Sequence, residues 1–152
     1  MTHVHIERTE RAKAQARAQL TAIKEMVTCL QQAEAEAQDI GTADQGDLEE
    51  WQKAKAFEEA REEMLASALS VQVRTDWHGV GAVEACKPMH YRILLCWGGP
   101  AVQIVGTLDD YNQPDSARLQ YQDWFTAWED YPLTQAQEET LVQYAQQFYF
   151  DE

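Results

Sequence analysis

Apolar positions recur at helical spacing as far as about Ser70, and from Val71 onward they alternate with polar ones. From about Ile6 to Gln38 the residues Ala16, Leu20, Ile23, Val27 and Leu30 are spaced four, three, four and three apart, which puts them on one stripe of a long helix. The alanine-rich, charged remainder of that segment has high helix propensity. Asp39-Ile40-Gly41-Thr42-Ala43-Asp44-Gln45-Gly46-Asp47 reads as the loop that ends it, with Asp47 as the next N-cap and Glu50 as its capping-box partner. A second, less regular helix to about Ser70 carries Leu48, Trp51, Phe57, Met64, Ala68 and Leu69. The two predict an antiparallel helical hairpin with Trp51 and Phe57 opposite the Leu20 to Leu30 stripe. An intramolecular seam is favoured over a coiled coil between chains because the pattern lasts little more than three heptads.

Val71 to Trp77 alternates and is β-branched, and predicts a first strand; His78 to Met89, with two glycines and Pro88, predicts a loop. Ile93, Leu95 and Trp97 then alternate with Arg92, Leu94 and Cys96. Beyond Gly98-Gly99-Pro100, Val102, Ile104 and Leu108 alternate with Gln103, Val105 and Thr107, which makes a hairpin. The run Asp109 to Ser116 is a second turn, and Leu119 and Tyr121 alternate with Arg118, Gln120 and Gln122 in a further strand. Asp123 to Pro132 is aromatic and acidic without clean periodicity and predicts an irregular, ring-anchored loop. Thr134 with Gln137 forms a capping box for a last helix bearing Leu141, Ala145 and Phe148, and Phe148-Tyr149-Phe150 is apolar enough to dock or to enter an interface. The expected fold is α+β: a helical hairpin arm over residues 1–70, and over residues 71–152 a three- to four-stranded antiparallel sheet, apolar on one face, with a C-terminal helix. The two parts are expected to form one compact unit.

Charge changes this picture. The formal net charge is −14, while 45% hydrophobic residues with five Trp and six Tyr argue for a folded protein. From Met1 to Lys24 five bases face two acids; from Glu25 to Ser70 twelve acids face three bases; from Asp109 onward ten acids face one base, Arg118. Such a field repels nucleic acid and attracts basic protein surfaces, although it also serves solubility alone. Three cysteines, an odd number, fit a reducing compartment. MTHVHIERTERAKAQ has no apolar h-region, and no apolar run approaches the roughly 18 residues that span a bilayer, so a cytoplasmic protein without a membrane role is expected.

Signals for chemistry are thin. His78, Cys86, His90 and Cys96 are of zinc-ligand type, but only Cys86 and His90 approach the usual two- to four-residue pairing. His3 and His5 read as a solvated tail. Cys29 falls on a helix, Cys96 in a strand, and Cys86 near His90 lacks any nucleophile motif. Gly98-Gly99-Pro100 joins two strands and is no phosphate loop. No catalytic residue, metal or cofactor is assigned, and no enzyme is expected. The acidic and aromatic positions expected to bind a partner are Glu58, Glu59, Glu62, Glu63, Asp109, Asp110, Asp123, Trp124, Trp128, Glu129 and Asp130, with the Trp124, Phe125, Trp128, Tyr131 rings either closing the sheet or forming hot spots.

The block LLCWGGPAVQIVGTLDDYNQPDSARLQYQDWFTAWEDY with the ending QFYF resembles a family of small acidic proteins of mostly unknown function on bacteriophages, prophages and plasmids. Gly98-Gly99-Pro100-Ala101-Val102 and Gln122-Asp123-Trp124 are its most specific parts, and the helical N-terminal half lies outside it. The resemblance implies, by analogy with anti-CRISPR proteins, a non-enzymatic inhibitor. Such a protein would bind a basic, nucleic-acid-binding site of a CRISPR or other nuclease effector, as monomer or dimer, without touching nucleic acid itself. The other reading is a structural or regulatory adaptor of a mobile element that binds through its hairpin or aromatic C-terminus.

Overall fold

The computed structural model describes residues 2–38, 47–82, 87–123 and 126–150. Helix α1 runs Thr2–Gln38 and α2 runs Asp47–Ala66; strands β1 Ser70–Arg74, β2 His90–Cys96, β3 Ala101–Thr107, β4 Arg118–Gln122 and β5 Glu129–Tyr131 follow, and α3 spans Gln135–Ala145. The connection at residues 39–46 and the side chain of Asp47, including the expected cap, lie outside the described residues. The strands form one antiparallel meander in the order β1-β2-β3-β4-β5.

One apolar line crosses all five strands: Val71, Ile93, Ile104, Leu119 and Tyr131 stand opposite one another in register. Ile93, Ile104 and Leu119 have no exposed surface. Helix α1 lies over this face above β3 and β4, and its stripe is buried as its spacing predicts: Ala12, Ala16, Leu20, Ile23, Val27, Leu30 and Ala33. Two polar contacts tie down its outer side, Arg17 Nε donating to Tyr131 Oη at 3.3 Å and Gln31 Nε2 to Gln143 Oε1 at 3.0 Å. Those positions are fourteen residues apart on a 1.5 Å rise, so α1 bridges roughly 21 Å from the β5 edge to α3.

Three expectations are corrected. The sheet has five strands, because Glu129–Tyr131, inside the stretch read as an irregular loop, pairs with β4; three residues are too few to show alternation in sequence. The first strand stops at Arg74 and leaves Trp77 and Val80 exposed. Trp51 is 58% exposed and does not face α1. The seam of α2 is Phe57, Ala60 and Met64 at i, i+3, i+7, whereas Trp51 belongs with Lys55, Glu58 and Glu62 at i, i+4, i+7, i+11 on the opposite side.

Other local signals hold. Gly98 takes φ +123°, and Pro100 precedes the first residue of β3, where its missing N–H costs the ladder nothing. The Thr134 hydroxyl accepts from Gln137 N at 3.2 Å, and Gln137 Oε1 accepts from Thr134 N at 2.9 Å, a complete capping box. The chain end docks: Phe148 meets Tyr144 edge-on at 5.2 Å between ring centroids and Phe150 meets Tyr91 at 5.3 Å, leaving Tyr149 exposed. Ser67 Oγ donates to Met64 O, so Tyr144 Oη must donate to Ser67 Oγ, at 2.6 Å, which pins α3 to the end of α2. Tyr91 Oη donates to the carbonyl of Ser116 at 2.7 Å, immediately over Gly106.

Two expected outcomes follow from this packing. A Cβ at Gly106 would lie 2.1 Å from Ser116 O and 2.7 Å from the Tyr91 ring. Gly106→Ala should therefore cost about 1–3 kcal/mol or more by urea denaturation, and a neutral result would refute the close approach. Burial pushes the hydroxyls of Tyr91 and Tyr144 above the ordinary tyrosine value, with Asp115 and Glu138 adding to the effect at Tyr91 and the Ser67 bond opposing it at Tyr144. Above about pH 10 the unfolded chain releases these protons while the native state keeps them, so stability is complete below that pH and falls as pH rises. Tyr91→Phe should flatten this alkaline slope in denaturant midpoints measured from about pH 8 to 11.

Candidate functional site

The residues expected to bind a partner do not form one surface. Glu58, Glu59, Glu62 and Glu63 are all exposed and lie together on the outer side of α2, continuous with Trp51 and Lys55. Lys55 Nζ sits 4.9 Å over the Trp51 ring and 4.0 Å from Glu59 Oε1. Asp109 and Asp110 are in the turn after β3, where Asp109 Oδ1 accepts from the backbone N–H groups of Tyr111 and Gln113, a capping role. Asp110 lends its carbonyl to Lys87 Nζ. Asp123 is only 8% exposed and so presents no acidic surface; its backbone N–H and carbonyl are held by the Thr126 hydroxyl in a tight turn after β4. Trp128 is half-buried, and Trp124 and Phe125 lie outside the described residues. Glu129 and Asp130 are exposed on β5.

The proposed ligand sets for thiol or metal chemistry are not brought together. His90 and Cys96 stand at opposite ends of β2, six residues apart, hence roughly 20 Å along the strand, and cannot share a metal. His90 Nε2 instead pairs with Asp76 Oδ1 at 2.5 Å. Cys96 is part-buried at a bulge, and burial pushes its thiol pKa up, away from nucleophile character. Cys86 lies outside the described residues, as do the side chains of His3 and His5. Among the described residues no three His, Cys, Asp or Glu side chains cluster as a metal site.

The other face of the sheet, which alternation predicts to be wet, carries the most organised polar arrangement. Register places Gln72, Arg92, Val105 and Arg118 in one cross-strand row, Arg74, His90 and Thr107 in the next, and Leu94, Gln103, Gln120 and Asp130 in the row on the other side. These rows floor a depression of about 860 Å³ whose lining contains Arg74, His90, Arg92 and Arg118. Its carboxylates stand at the margin, each on a lining residue: Asp76 on His90, Asp115 on Thr107 and Asp130 beside Arg118. Arg92 donates to Gln72 Oε1 from Nε at 2.9 Å and also from Nη2.

A chain of side-chain bonds orders one wall. Gln103 Nε2 donates to Gln120 Oε1 at 2.8 Å, Gln120 Nε2 donates to Asp130 Oδ1 at 2.9 Å, and Arg118 Nη1 lies 3.7 Å from Asp130 Oδ2. A carboxylate can only accept, so Asp130 fixes the Gln120 amide and Gln120 fixes Gln103. Gln103 is thereby left with its carbonyl Oε1 buried and without a partner, although the residue is just 3% exposed. Sequence reasoning assigned none of Gln72, Arg74, Arg92, Gln103, Arg118 or Gln120 a function; the only available signal was that each occupies a polar position of an alternating strand.

Comparison with protein-family models, with curated proteins and with solved structures finds no match to this chain.

The amide chain has its own test. Asp130→Ala should release the Gln120 and Gln103 orientations, seen as a shift and faster exchange of those two side-chain amide NMR signals relative to the parent protein, with the other glutamines unmoved. Unchanged Gln103 signals would contradict the relay.

Proposed function

We propose that the protein acts without catalysis, as an inhibitor of anti-defence type, by laying the acidic outer side of α2 on a basic, nucleic-acid-binding surface of a nuclease effector such as a CRISPR complex. The single observation that carries this reading is the continuous exposed stripe of Trp51, Glu58, Glu59, Glu62 and Glu63, with Lys55 and Glu59 its one internal ion pair. Carboxylates two turns long beside an exposed indole offer both steering charge and a buried anchor. The remaining acidic residues of the expected set are spread over the β3–β4 turn and β5, or are buried, and give α2 the clearest claim.

A second reading, the adaptor, draws support from the β1 edge. Leu69, Val71 and Val73 are 61%, 37% and 47% exposed where α1 does not reach, so an added strand or helix would have apolar surface to cover. The two readings differ in salt dependence.

Replacing Glu58, Glu59, Glu62 and Glu63 by Gln should weaken inhibition of target cleavage at least tenfold, and parent inhibition should fade between about 0.05 and 0.5 M salt as screening shortens. Trp51→Ala should raise the dissociation rate. If no nuclease complex in a panel of CRISPR effectors is inhibited, or the four-Gln variant inhibits equally well, the acidic stripe is not the working surface.

A further inference from the structure

The open face of the sheet gathers three arginines, with Asp76, Asp115 and Asp130 held at its margin on His90, Thr107 and Arg118. Arg92 and Arg118 flank Val105 on neighbouring strands, each directly across from it in register, so the two guanidinium stems rise on either side of a short apolar floor with their Cα atoms roughly 10 Å apart. Thr107 lies two residues along β3 in one direction and Gln103 two residues in the other, each roughly 7 Å away. Each guanidinium is held on the strand away from Val105, Arg92 on Gln72 of β1 and Arg118 beside Asp130 of β5, so an anion above Val105 is bound when both turn inward.

The polar groups around them are already arranged for recognition. Gln72 holds Arg92, Asp130 holds Arg118 loosely, and the Asp130 to Gln120 to Gln103 relay turns one carbonyl, Gln103 Oε1, toward no protein partner at all. A buried acceptor without a donor costs stability and is retained where something else supplies the donor. Arg74, farther out on β1, has no side-chain hydrogen bond or ion pair among the described residues and widens the cationic rim.

We propose that this depression binds a small phosphomonoester, of nucleotide size or below, with its phosphate between Arg92 and Arg118 above Val105 and an N–H or O–H group of the same molecule donating to Gln103 Oε1. A phosphate carries close to two negative charges at neutral pH and offers three oxygens, which suits two guanidiniums better than a single carboxylate does. A volume of about 860 Å³ is of the size that holds such a molecule. A polynucleotide fits the face poorly. Its many phosphates meet a molecule of net charge −14, and of the two rings in the lining Tyr91 is 2% exposed against Phe150 while the His90 imidazole is held by Asp76, so the face offers no row of stacking rings. This site is independent of the acidic stripe on α2.

The test is calorimetric titration of the full chain with AMP, glucose 6-phosphate and phosphotyrosine, with inorganic phosphate and adenosine as controls and an eight-nucleotide single-stranded RNA as competitor. At least one phosphomonoester should bind ten times more tightly than inorganic phosphate. Arg92→Ala and Arg118→Ala should each weaken both that ester and phosphate at least fivefold. Gln103→Leu should abolish the ester's advantage and leave phosphate binding as it was; because it removes both the buried unpartnered oxygen and the donor to Gln120 Oε1, an unchanged circular dichroism spectrum confirms that the fold is kept. The proposal fails if no ester outdoes inorganic phosphate, if either arginine variant binds as the parent does, if Gln103→Leu keeps the advantage, or if the RNA binds more tightly than every ester.

Discussion

Everything in this fold depends on one apolar contact, the seam between the α1 stripe and the row Ile93, Ile104 and Leu119 beneath it. A five-stranded meander with one apolar face cannot stand alone in water, and among the described residues α1 is the helix that lies over its central strands β3 and β4. The same stripe serves α2 and α3 as well. Ile23 and Leu141 are completely buried, and Met64 brings α2 into the same cluster. At roughly 25 cal/mol per Å² of apolar surface, burial on this scale outweighs the polar contacts at its margins, each worth about 1 kcal/mol net.

One-sided cover has a consequence for charge. The helices present their polar sides outward; α1 carries five acids and five bases, whereas α2 carries seven acids and three bases, so the negative field radiates from α2 and from the turns at the ends of the sheet. The uncovered face of the sheet is left to the alternate positions of four strands, and there three of the twelve basic Lys and Arg residues meet. Long arginine stems suit such a face because they cover the apolar floor, here Val105, while the guanidinium stays in water. The anionic surface is therefore concentrated on α2, while the open sheet face holds its arginines beside Asp76, Asp115 and Asp130.

The C-terminus closes the arrangement by a different route. Phe150 reaches back to Tyr91, whose hydroxyl holds the Ser116 carbonyl over Gly106, so the chain end, β2, the β3–β4 connection and β3 are linked through one ring. That linkage fixes the register of β3 against its neighbours close to the depression. It also uses up the aromatic end that, as an isolated sequence, looks available for a partner.

How much of this was legible depended on whether the signal was local. The α1 stripe, the Thr134 capping box, the turn at Gly98 and the alternation of β2 and β4 are set by neighbours within a few residues, and each is present as the sequence predicts, whereas central β3 is buried on both sides from Ala101 to Ile104. Trp51 was misplaced because large rings are usually buried, yet its phase on α2 belongs to the acidic side; β5 was missed because a three-residue strand exists only through its partner. Periodicity alone determined the α+β class, the helical arm and which strand positions share a side of the sheet, because the backbone geometry of helix and strand converts spacing directly into sides. Only the tertiary structure decided that Arg92 and Arg118, distant in sequence, flank one valine, and that Asp130 turns Gln103 through Gln120. Those relations are set by strand order and register, which arise from long-range pairing and the burial of the opposite face.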